Sequence, residues 1–266
     1  MSPSRKEQRH ERILASLGAN PALRVNQLAD ELSVSTETIR RDLTELQQVG
    51  RISRTYGGAV SASNRFEPVL NERMGLHVAE RRAIARHAAL LYAREEALIL
   101  GGGATMLHFA RALREVAHRM TVITPSYPVA AELSQNPAIE VMALPGLFEP
   151  QEHIVYGPET LRAIARYAVP RAILGASGVN EAGISEALLN AGEIYSAIMQ
   201  HADHSVILAD QSKFDKRALV LLEGWSADMT LISDQPPRGA LAASLKSCRT
   251  HVVISTPEQA AGPGAG

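Results

Sequence analysis

The stretch SVSTETIRRDLTEL, residues 33–46, decides the fold of the N-terminal region. Its apolar residues Ile39, Leu43 and Leu46 recur at spacings of four and three, which predicts a helix with a single apolar stripe. Ser35 precedes that stripe and is a favoured N-cap residue. The sequence therefore predicts a helix that begins just after Ser35 and packs this stripe inward.

Two helices are predicted before this one and a hairpin after it. The first covers about residues 5–17, and the second begins at the N-cap Asn26. Gly50 is predicted to end the third helix. In the next segment, RISRTYGGAV (residues 51–60), the larger side chains alternate before a glycine turn, which predicts a short hairpin. The order of helix, capped helix, turn, capped helix and hairpin is typical of a winged helix–turn–helix.

The paired arginines of this stretch point away from the apolar stripe on a helical wheel. A helix–turn–helix places the N-terminal residues of its second helix in the DNA major groove, where arginine binds guanine or phosphate and hydroxyl groups bind either. The alternative is a solvated face on which Glu37 and Arg41 pair one turn apart. The residues predicted to contact DNA are Ser35, Thr36, Thr38, Arg40 and Arg41 of the helix, with Arg54 and Tyr56 of the hairpin wing.

Beyond about residue 78, short apolar segments alternate with helical stretches. This alternation predicts a mainly parallel sheet with helices on both faces. In such sheets ligands bind at the carboxyl ends of the strands. The candidate strands are residues 97–100, 121–124, 139–144, 171–176, 205–210, 229–234 and 251–255.

Composition and charge exclude several classes of protein. The single cysteine, Cys248, rules out an intrachain disulfide and a cysteine metal cluster. The N-terminus is charged and the apolar runs are shorter than a membrane span, so we expect a cytoplasmic protein without membrane contact. His201 and His204 lie close together, but no other ligand cluster accompanies them, so neither a metal nor a cofactor is expected.

The charge balance does not by itself indicate a nucleic-acid partner. Residues 1–60 carry nine Lys and Arg against seven Asp and Glu, while the whole chain has a net charge of −1. A surplus of two positive charges is small. The positions of the arginines on the helix therefore decide the prediction.

The segment LADELSVSTETIRRDLTELQQVGRISRTYGGAV, residues 28–60, resembles the winged helix of the DeoR family of bacterial sugar-responsive repressors. The family signature is a TIRRDL helix followed by a GGA turn. The resemblance continues, less closely, to about Ser255. It implies a C-terminal sensor with a ribose-5-phosphate isomerase-like fold that binds a phosphorylated sugar or a similar metabolite. The expected fold class is thus α/β: a winged helix–turn–helix followed by a mainly parallel-sheet sensor domain.

The segment ALILGGGATMLHFA, residues 97–110, contains a strand, a glycine-rich loop and the start of a helix. Gly101, Gly102 and Gly103 let the backbone approach an anion, and the N-terminus of the following helix favours phosphate. Thr105 adds a hydroxyl group. The alternative is a plain tight turn, because a glycine triplet alone is a weak signal.

Side chains at other strand ends complete the predicted effector site. Lys213 would supply a positive charge to a phosphate or carboxylate, and Asp210 would orient that lysine or accept a sugar hydroxyl. Ser126 and Ser177 add hydroxyl groups at two more strand ends. The alternatives are a solvated loop lysine at Lys213 and an N-cap at Asp210.

The resemblance also shows where this sequence departs from the family pattern. The family's loop usually reads Asp-Ser-Gly-Thr-Thr, so Gly101 replaces an acid and Ala104 replaces a hydroxyl residue. Ser177 stands where the family often has Asp, and Tyr195 where it commonly has a second lysine. The polar lining of the implied pocket is therefore altered.

These observations predict a transcriptional repressor on a double-stranded DNA operator, modulated by a small phosphorylated metabolite and assembled as a homodimer or homotetramer. One alternative is a sugar-phosphate isomerase or deaminase that uses Glu181 and Glu186 as an acid–base pair. Another is a constitutive DNA-binding protein with a vestigial sensor. The predicted regions are a DNA-binding domain (1–60), a linker (61–72), an effector-sensing domain (73–256) and a disordered tail (257–266).

Overall fold

The computed structural model describes residues 6, 9–13, 16, 25–48, 52–55, 58–61 and 69–255. The chain divides into two compact units, Met1–Glu67 and Pro68–Gly266. Most of the predicted linker and the whole predicted tail lie outside the described residues. Residues 70–72, which the sequence placed in the linker, instead belong to helix α4 (Leu70–Arg73), where Leu70 and Arg73 are buried.

The first unit has the predicted winged helix–turn–helix order. Residues 9–13 lie in helix α1, which is followed by α2 (Val25–Leu32), α3 (Thr36–Gln48) and an antiparallel hairpin of β1 (Ile52–Thr55) and β2 (Gly58–Ser61). Helix α2 begins one residue before Asn26, so the prediction of an N-cap at Asn26 was wrong. The core of this unit contains the predicted stripe and the inner faces of the other helices: Ile13, Leu28, Ala29, Leu32, Ile39, Leu43 and Leu46.

The second unit is built on a seven-stranded sheet whose strands all run parallel. Its order is β14-β13-β11-β8-β3-β4-β5. Each strand coincides with one of the seven predicted segments, which confirms the predicted fold class. The strands are β3 (Ala97–Leu100), β4 (Met120–Thr124), β5 (Ile139–Ala143), β8 (Val169–Gly175), β11 (Ala202–Leu208), β13 (Met229–Ser233) and β14 (His251–Ile254).

Helices cover both faces of this sheet because successive strand residues point to opposite sides. Leu98 and Leu100 face one core and Ile99 faces the other. On the first face lie α5 (Val78–Tyr92), α6 (Ala104–Val116) and α7 (Tyr127–Leu133). On the second face lie α8 (Pro158–Ile164), α9 (Leu189–Gln200) and α10 (Gly239–Ser247).

Five short strands in the described part of the second unit lie outside the parallel sheet, and these were not predicted. A hairpin of β6 (Leu147–Glu149) and β7 (Ile154–Tyr156) follows β5. A three-stranded antiparallel sheet contains β9 (Gly178–Asn180), β10 (Gly183–Glu186) and β12 (Val220–Glu223). None of the helices in the described part of the chain is long and apolar enough to span a membrane.

Candidate functional site

Helix α3 begins with a capped turn. The Ser35 hydroxyl accepts a hydrogen bond from the backbone N–H of Thr38 at 3.1 Å, and the two side-chain hydroxyls are 2.9 Å apart. Ser35 is therefore the N-cap that the sequence predicted. Its hydroxyl already has partners within the helix, so its first role is to hold the helix start rather than to bind an external group.

The two arginines of α3 are exposed, as the helical wheel predicted. Arg40 Nη1 lies 3.9 Å from Glu37 Oε2, whereas Arg41 has no ion-pair partner among the described residues. The alternative pairing of Glu37 with Arg41 is thus not the one observed. Thr36 and Thr38 on the first turn are partly exposed, and Arg54 lies in β1, although its side chain and the whole of Tyr56 lie outside the described residues.

Asp42, next to the arginine pair, has a structural role that the sequence did not reveal. It is 2% exposed and accepts two hydrogen bonds from the Arg9 guanidinium, at 2.5 and 3.0 Å, while His10 Nε2 lies 3.1 Å from its Oδ1. Burial alone would raise the pKa of Asp42, but the hydrogen bonds from Arg9 and His10 lower it below its ordinary value. This cluster ties α1 to the inner face of α3.

In the second unit, the predicted effector residues follow the ends of neighbouring strands. Gly101–Gly103 follow β3, Ser126 follows β4, Ser177 follows β8, and Asp210 follows β11. These four strands are adjacent in the sheet, so the residues share its carboxyl edge. We call Gly101–Gly103, Ser126, Ser177, Asp210 and Lys213 the sheet-edge site.

The glycine loop of this site is closed on one side by a tyrosine. A side chain at Gly101 would lie 2.7 Å from Leu174, and one at Gly102 would lie 2.6 Å from Ile154, so both positions require glycine for space. Gly103 has a φ of 99°, which glycine adopts without strain. The backbone N–H of Gly102 donates a hydrogen bond to the Tyr195 hydroxyl at 3.1 Å. One backbone N–H of the glycine loop, which the sequence predicted to bind phosphate, is therefore already hydrogen-bonded.

Tyr195 and two buried carboxyl groups surround a buried arginine at this edge. The guanidinium of Arg73 donates a hydrogen bond to Glu152, and it lies 4.0 Å from the position that a Gly103 side chain would take. Burial raises the pKa of Glu152 to about 7, and the nearby charge of Glu186 contributes to that rise. Burial likewise raises the pKa of the Tyr195 hydroxyl, which stays protonated. Sequence analysis did not single out Arg73 or Glu152.

The carboxylate of Glu186 is buried and hydrogen-bonded within the protein. Its Oε1 accepts hydrogen bonds from the Ser177 hydroxyl at 2.9 Å and from the backbone N–H of Ala187 at 2.7 Å, and burial raises its pKa. Glu181, its predicted partner in the enzyme alternative, is exposed in the turn between β9 and β10. The two carboxyl groups thus occupy different environments, and Ser177 helps to hold Glu186 in place.

Asp210 forms a buried ion pair, which differs from its predicted role of orienting Lys213. It is fully buried, it accepts a hydrogen bond from Arg81 Nε at 3.2 Å, and it caps a short 3₁₀ helix, Gln211–Lys213, by accepting the Ser212 N–H at 3.0 Å. Arg81 also donates to the backbone carbonyl of Arg73. The N-cap alternative for Asp210 is therefore the observed one, and Arg81 connects α5 with α4 and the strand ends.

Lys213 lies at the end of that 3₁₀ helix and is buried. Burial lowers the pKa of its ammonium group to about 8, and the positive charge of Lys216 contributes to that decrease. The alternative of a solvated loop lysine is therefore not observed. A lysine with this pKa is still mostly protonated at neutral pH, so it can attract an anion.

The two histidines considered as metal ligands do not form a cluster. His201 ends α9, and His204 lies on β11, where its Nε2 is 2.9 Å from the Thr230 hydroxyl. Among the described residues, the one group with metal-ligand spacing is His10, Asp42 and Glu45. There the Arg9 guanidinium already neutralises Asp42.

A helix–turn–helix unit with exposed arginines, joined to a parallel α/β unit with charged groups at its sheet edge, defines a DNA-binding regulator with a sensor domain. Residues 9–65 match the DeoR-like helix-turn-helix domain, and residues 76–235 match the DeoR C terminal sensor domain. The chain belongs to the DeoR family of transcriptional regulators. This confirms both the resemblance and the predicted class of function.

Relatives with this architecture align over nearly the whole chain. The HTH-type transcriptional repressor CsqR of Escherichia coli is 28% identical over 247 residues, which are 92% of this chain and 94% of that protein. The HTH-type transcriptional repressor GlcR of Bacillus subtilis is 30% identical over 263 residues, 96% of this chain and 98% of its own. The glycerol-3-phosphate regulon repressor of E. coli is 27% identical over 234 residues, 88% and 92% respectively.

Among solved structures, ribose 5-phosphate isomerase A from Neisseria gonorrhoeae is similar with a TM-score of 0.40 and 20% identity, covering 52% of this chain and 53% of the isomerase. That likeness is distant and has no bearing on function. The relatives named above are transcriptional repressors, which favours a regulator over the enzyme alternative.

Proposed function

We propose that this protein is a repressor whose affinity for a double-stranded DNA operator changes when a small anionic, phosphorylated metabolite binds the sheet-edge site. The observation that carries the proposal is the pairing of two features in one chain. Helix α3 presents Arg41 to solvent without an ion-pair partner among the described residues, and the second unit holds a buried, titratable Lys213 after strand β11, at the same edge of the sheet as the glycine loop.

The DNA-binding part of the proposal assigns Arg40 and Arg41 as the main contacts, with Thr36 and Thr38 beside them. Exposed arginines can form paired hydrogen bonds with guanine or phosphate without first breaking a strong ion pair within the protein. The ion pair of Arg40 with Glu37, at 3.9 Å, is exposed and therefore weak. Arg54 and Tyr56 are proposed as contacts from the wing.

The effector part of the proposal rests on charge at the sheet edge. Arg73 and Lys213 are buried cations, and the first N–H groups of α6 have no partners within that helix, so an anion is favoured there. Thr105 and Ser126 add hydroxyl groups beside the loop. Because Tyr195 already accepts the Gly102 N–H, the anion would use the remaining donors or displace the tyrosine hydroxyl.

We further propose that the repressor acts as a homodimer or homotetramer held mainly by residues beyond 70. One winged helix offers a small interface, whereas two linked copies raise the effective concentration and bind two half-sites. Sedimentation of the full chain at the concentrations where it binds DNA tightly tests this, and a monomer there would contradict it.

The proposed function is tested by selecting DNA sites from a random library with the full-length protein. Fluorescence anisotropy then measures binding to a selected site with and without each member of a sugar-phosphate panel. We expect at least one phosphorylated compound to change the affinity for DNA and to raise the melting temperature of the free protein. By linkage, DNA must change the affinity for that compound by the same factor.

Two results would contradict the proposal in different ways. If no DNA sequence is enriched, the reading of α3 as the DNA-contacting helix is wrong. If DNA is selected but no phosphorylated compound alters binding, the sensor is vestigial and the protein binds DNA constitutively. The hydrogen bond from Gly102 to Tyr195 is the observation that favours a vestigial sensor, because it occupies one of the N–H groups of the glycine loop that would otherwise bind the anion.

A further inference from the structure

A second charged site lies on the outer face of the sensor, between α5 and α6. A groove with a volume of about 470 Å³ runs between these helices. We define the arginine groove by six of its lining residues: Arg82, Arg86, Ala89, His108, Arg111 and Ala112. Its volume falls within the range of small-molecule pockets, which is about 300–1,000 Å³.

The groove has an excess of positive charge. Arg82 and Arg86 stand one turn apart on α5, so their side chains are neighbours, and among the described residues neither has an ion-pair partner. Across the groove, Arg111 pairs with Glu132 at 3.2 Å, and Arg114 pairs with Glu132 at 2.6 Å and with Glu115 at 2.7 Å. The α5 wall therefore presents two uncompensated guanidinium groups.

A buried histidine forms part of the same lining. His108 is 5% exposed, and its Nε2 has no hydrogen-bond partner among the described residues. Burial lowers the pKa of His108 to about 4, and the charges of Arg111 and Arg82 contribute, so the ring is neutral at pH 7. A buried polar atom without a partner costs free energy unless a ligand or water satisfies it.

We propose that the arginine groove is a second binding site for a small molecule with phosphate or carboxylate groups. Guanidinium groups bind such oxyanions through paired hydrogen bonds. Ala89 and Ala112 line the groove between the charged residues and give the ligand an apolar contact surface. The site is distinct from the sheet-edge site, because its residues lie on the outer faces of α5 and α6 rather than at the strand ends.

The proposal is tested by isothermal titration of the full-length protein with pyrophosphate and, separately, with succinate, at constant ionic strength. Arg82→Ala/Arg86→Ala should bind the better probe at least about tenfold more weakly, since two charge-assisted hydrogen-bond donors are lost. Arg94→Ala/Arg166→Ala removes two exposed arginines outside the groove and should keep the wild-type affinity. The better probe distinguishes phosphate from carboxylate chemistry.

Chemical labelling of arginine with phenylglyoxal, read by mass spectrometry, locates the bound probe. We expect pyrophosphate to protect Arg82 and Arg86 but not Arg166. Equal affinity in the groove variant and wild type, or an equal loss in both double variants, would overturn the proposal. So would protection of Arg82 and Arg86 by duplex DNA and not by either small anion, because the groove would then be a nucleic-acid surface.

Discussion

The arginines of α3 are exposed, whereas those near the sheet-edge site of the sensor are buried. Arg40 and Arg41 are exposed, and the ion pair of Arg40 with Glu37 is weak. Arg73 and Arg81 are buried; Arg73 is hydrogen-bonded to the largely buried Glu152, and Arg81 to the fully buried Asp210. Exposed cations are available to an external polyanion, and their binding depends on salt. Buried, paired cations instead stabilise the fold and set the charge of a site.

The difference implies that mutations of these arginines have separable effects. Removing an exposed arginine should change DNA binding without changing stability. Removing a buried one should change stability first, because an uncompensated charge remains inside the protein.

Arg81→Ala should destabilise the sensor unit by about 3–5 kcal/mol, because it leaves the fully buried Asp210 without its guanidinium partner. Urea unfolding followed by circular dichroism measures the loss. Arg162→Ala is the matched control, since its pair with Glu159 is exposed and should contribute less than about 1 kcal/mol. Similar losses in the two variants would show that burial does not distinguish these ion pairs.

Asp42→Asn should destabilise the first unit by about 2–3 kcal/mol, because hydrogen bonds from Arg9 and His10 to a charged group are weakened. Hydrogen exchange of the α3 amides in the full chain measures this loss. Glu37→Gln, at an exposed contact on the same helix, should have little effect.

The same residue predicts the sign of a pH effect. The pKa of Asp42 is lowered in the folded protein, so its stabilisation is fully present above the unfolded pKa of about 4. It is lost as the pH falls through the folded pKa. The protection of the α3 amides, measured relative to their intrinsic exchange rate at each pH, should therefore fall more steeply below pH 4 in wild type than in Asp42→Asn. An equal fall in both proteins would remove Asp42 from the acid response.

Lys213→Ala should weaken binding of the best sugar phosphate by about 1.5–3 kcal/mol, the contribution of a charge-assisted hydrogen bond. Operator affinity without effector should barely change. Because the lysine pKa is about 8, wild-type effector affinity should fall as the pH rises through that value. Calorimetric titration from pH 6.5 to 9 measures both effects, with Lys213→Arg as the variant that keeps the charge. Equal affinities of wild type and Lys213→Ala would exclude this residue from the site.

Arg41→Ala should weaken operator binding by about 1–3 kcal/mol if it contacts a base, with less change in binding to unrelated DNA. Arg40→Ala should act in the same direction, and by less, because Arg40 already contacts Glu37. Anisotropy titrations on selected and scrambled sites measure the difference. A uniform loss on all sequences would indicate a phosphate contact, and unchanged affinity in both folded variants would exclude α3 as the DNA-contacting helix.

Sequence patterns predicted the parts of this molecule that are encoded locally. The apolar stripe of α3 and the apolar segments that form the seven parallel strands each lie within one short stretch of sequence. The ion pairs could not be predicted in this way, because their partners are distant in sequence. Arg73 and Glu152 are separated by 79 positions, and Arg81 and Asp210 by 129. Tertiary packing brings them together, and neither partner carries a local signal.

The smallest effect is expected at the contact between Tyr195 and the glycine loop. Tyr195→Phe removes the hydroxyl that accepts the Gly102 N–H and keeps the ring that packs against the loop. The unpaired, buried N–H should cost about 1 kcal/mol of stability when no ligand is bound. That N–H would then be available to an anion, so the best sugar phosphate should bind a few-fold more tightly than to wild type.

Calorimetry of wild type and Tyr195→Phe with the same sugar phosphate measures this gain, and urea unfolding measures the loss of stability. Tyr167→Phe serves as the control, because Tyr167 packs against the same core and the described residues include no hydrogen-bond partner for its hydroxyl. Weaker binding by Tyr195→Phe would mean that the tyrosine hydroxyl contacts the effector itself. In that case the Tyr195 hydroxyl is part of the sensor's binding surface rather than a group that competes with the ligand for the loop.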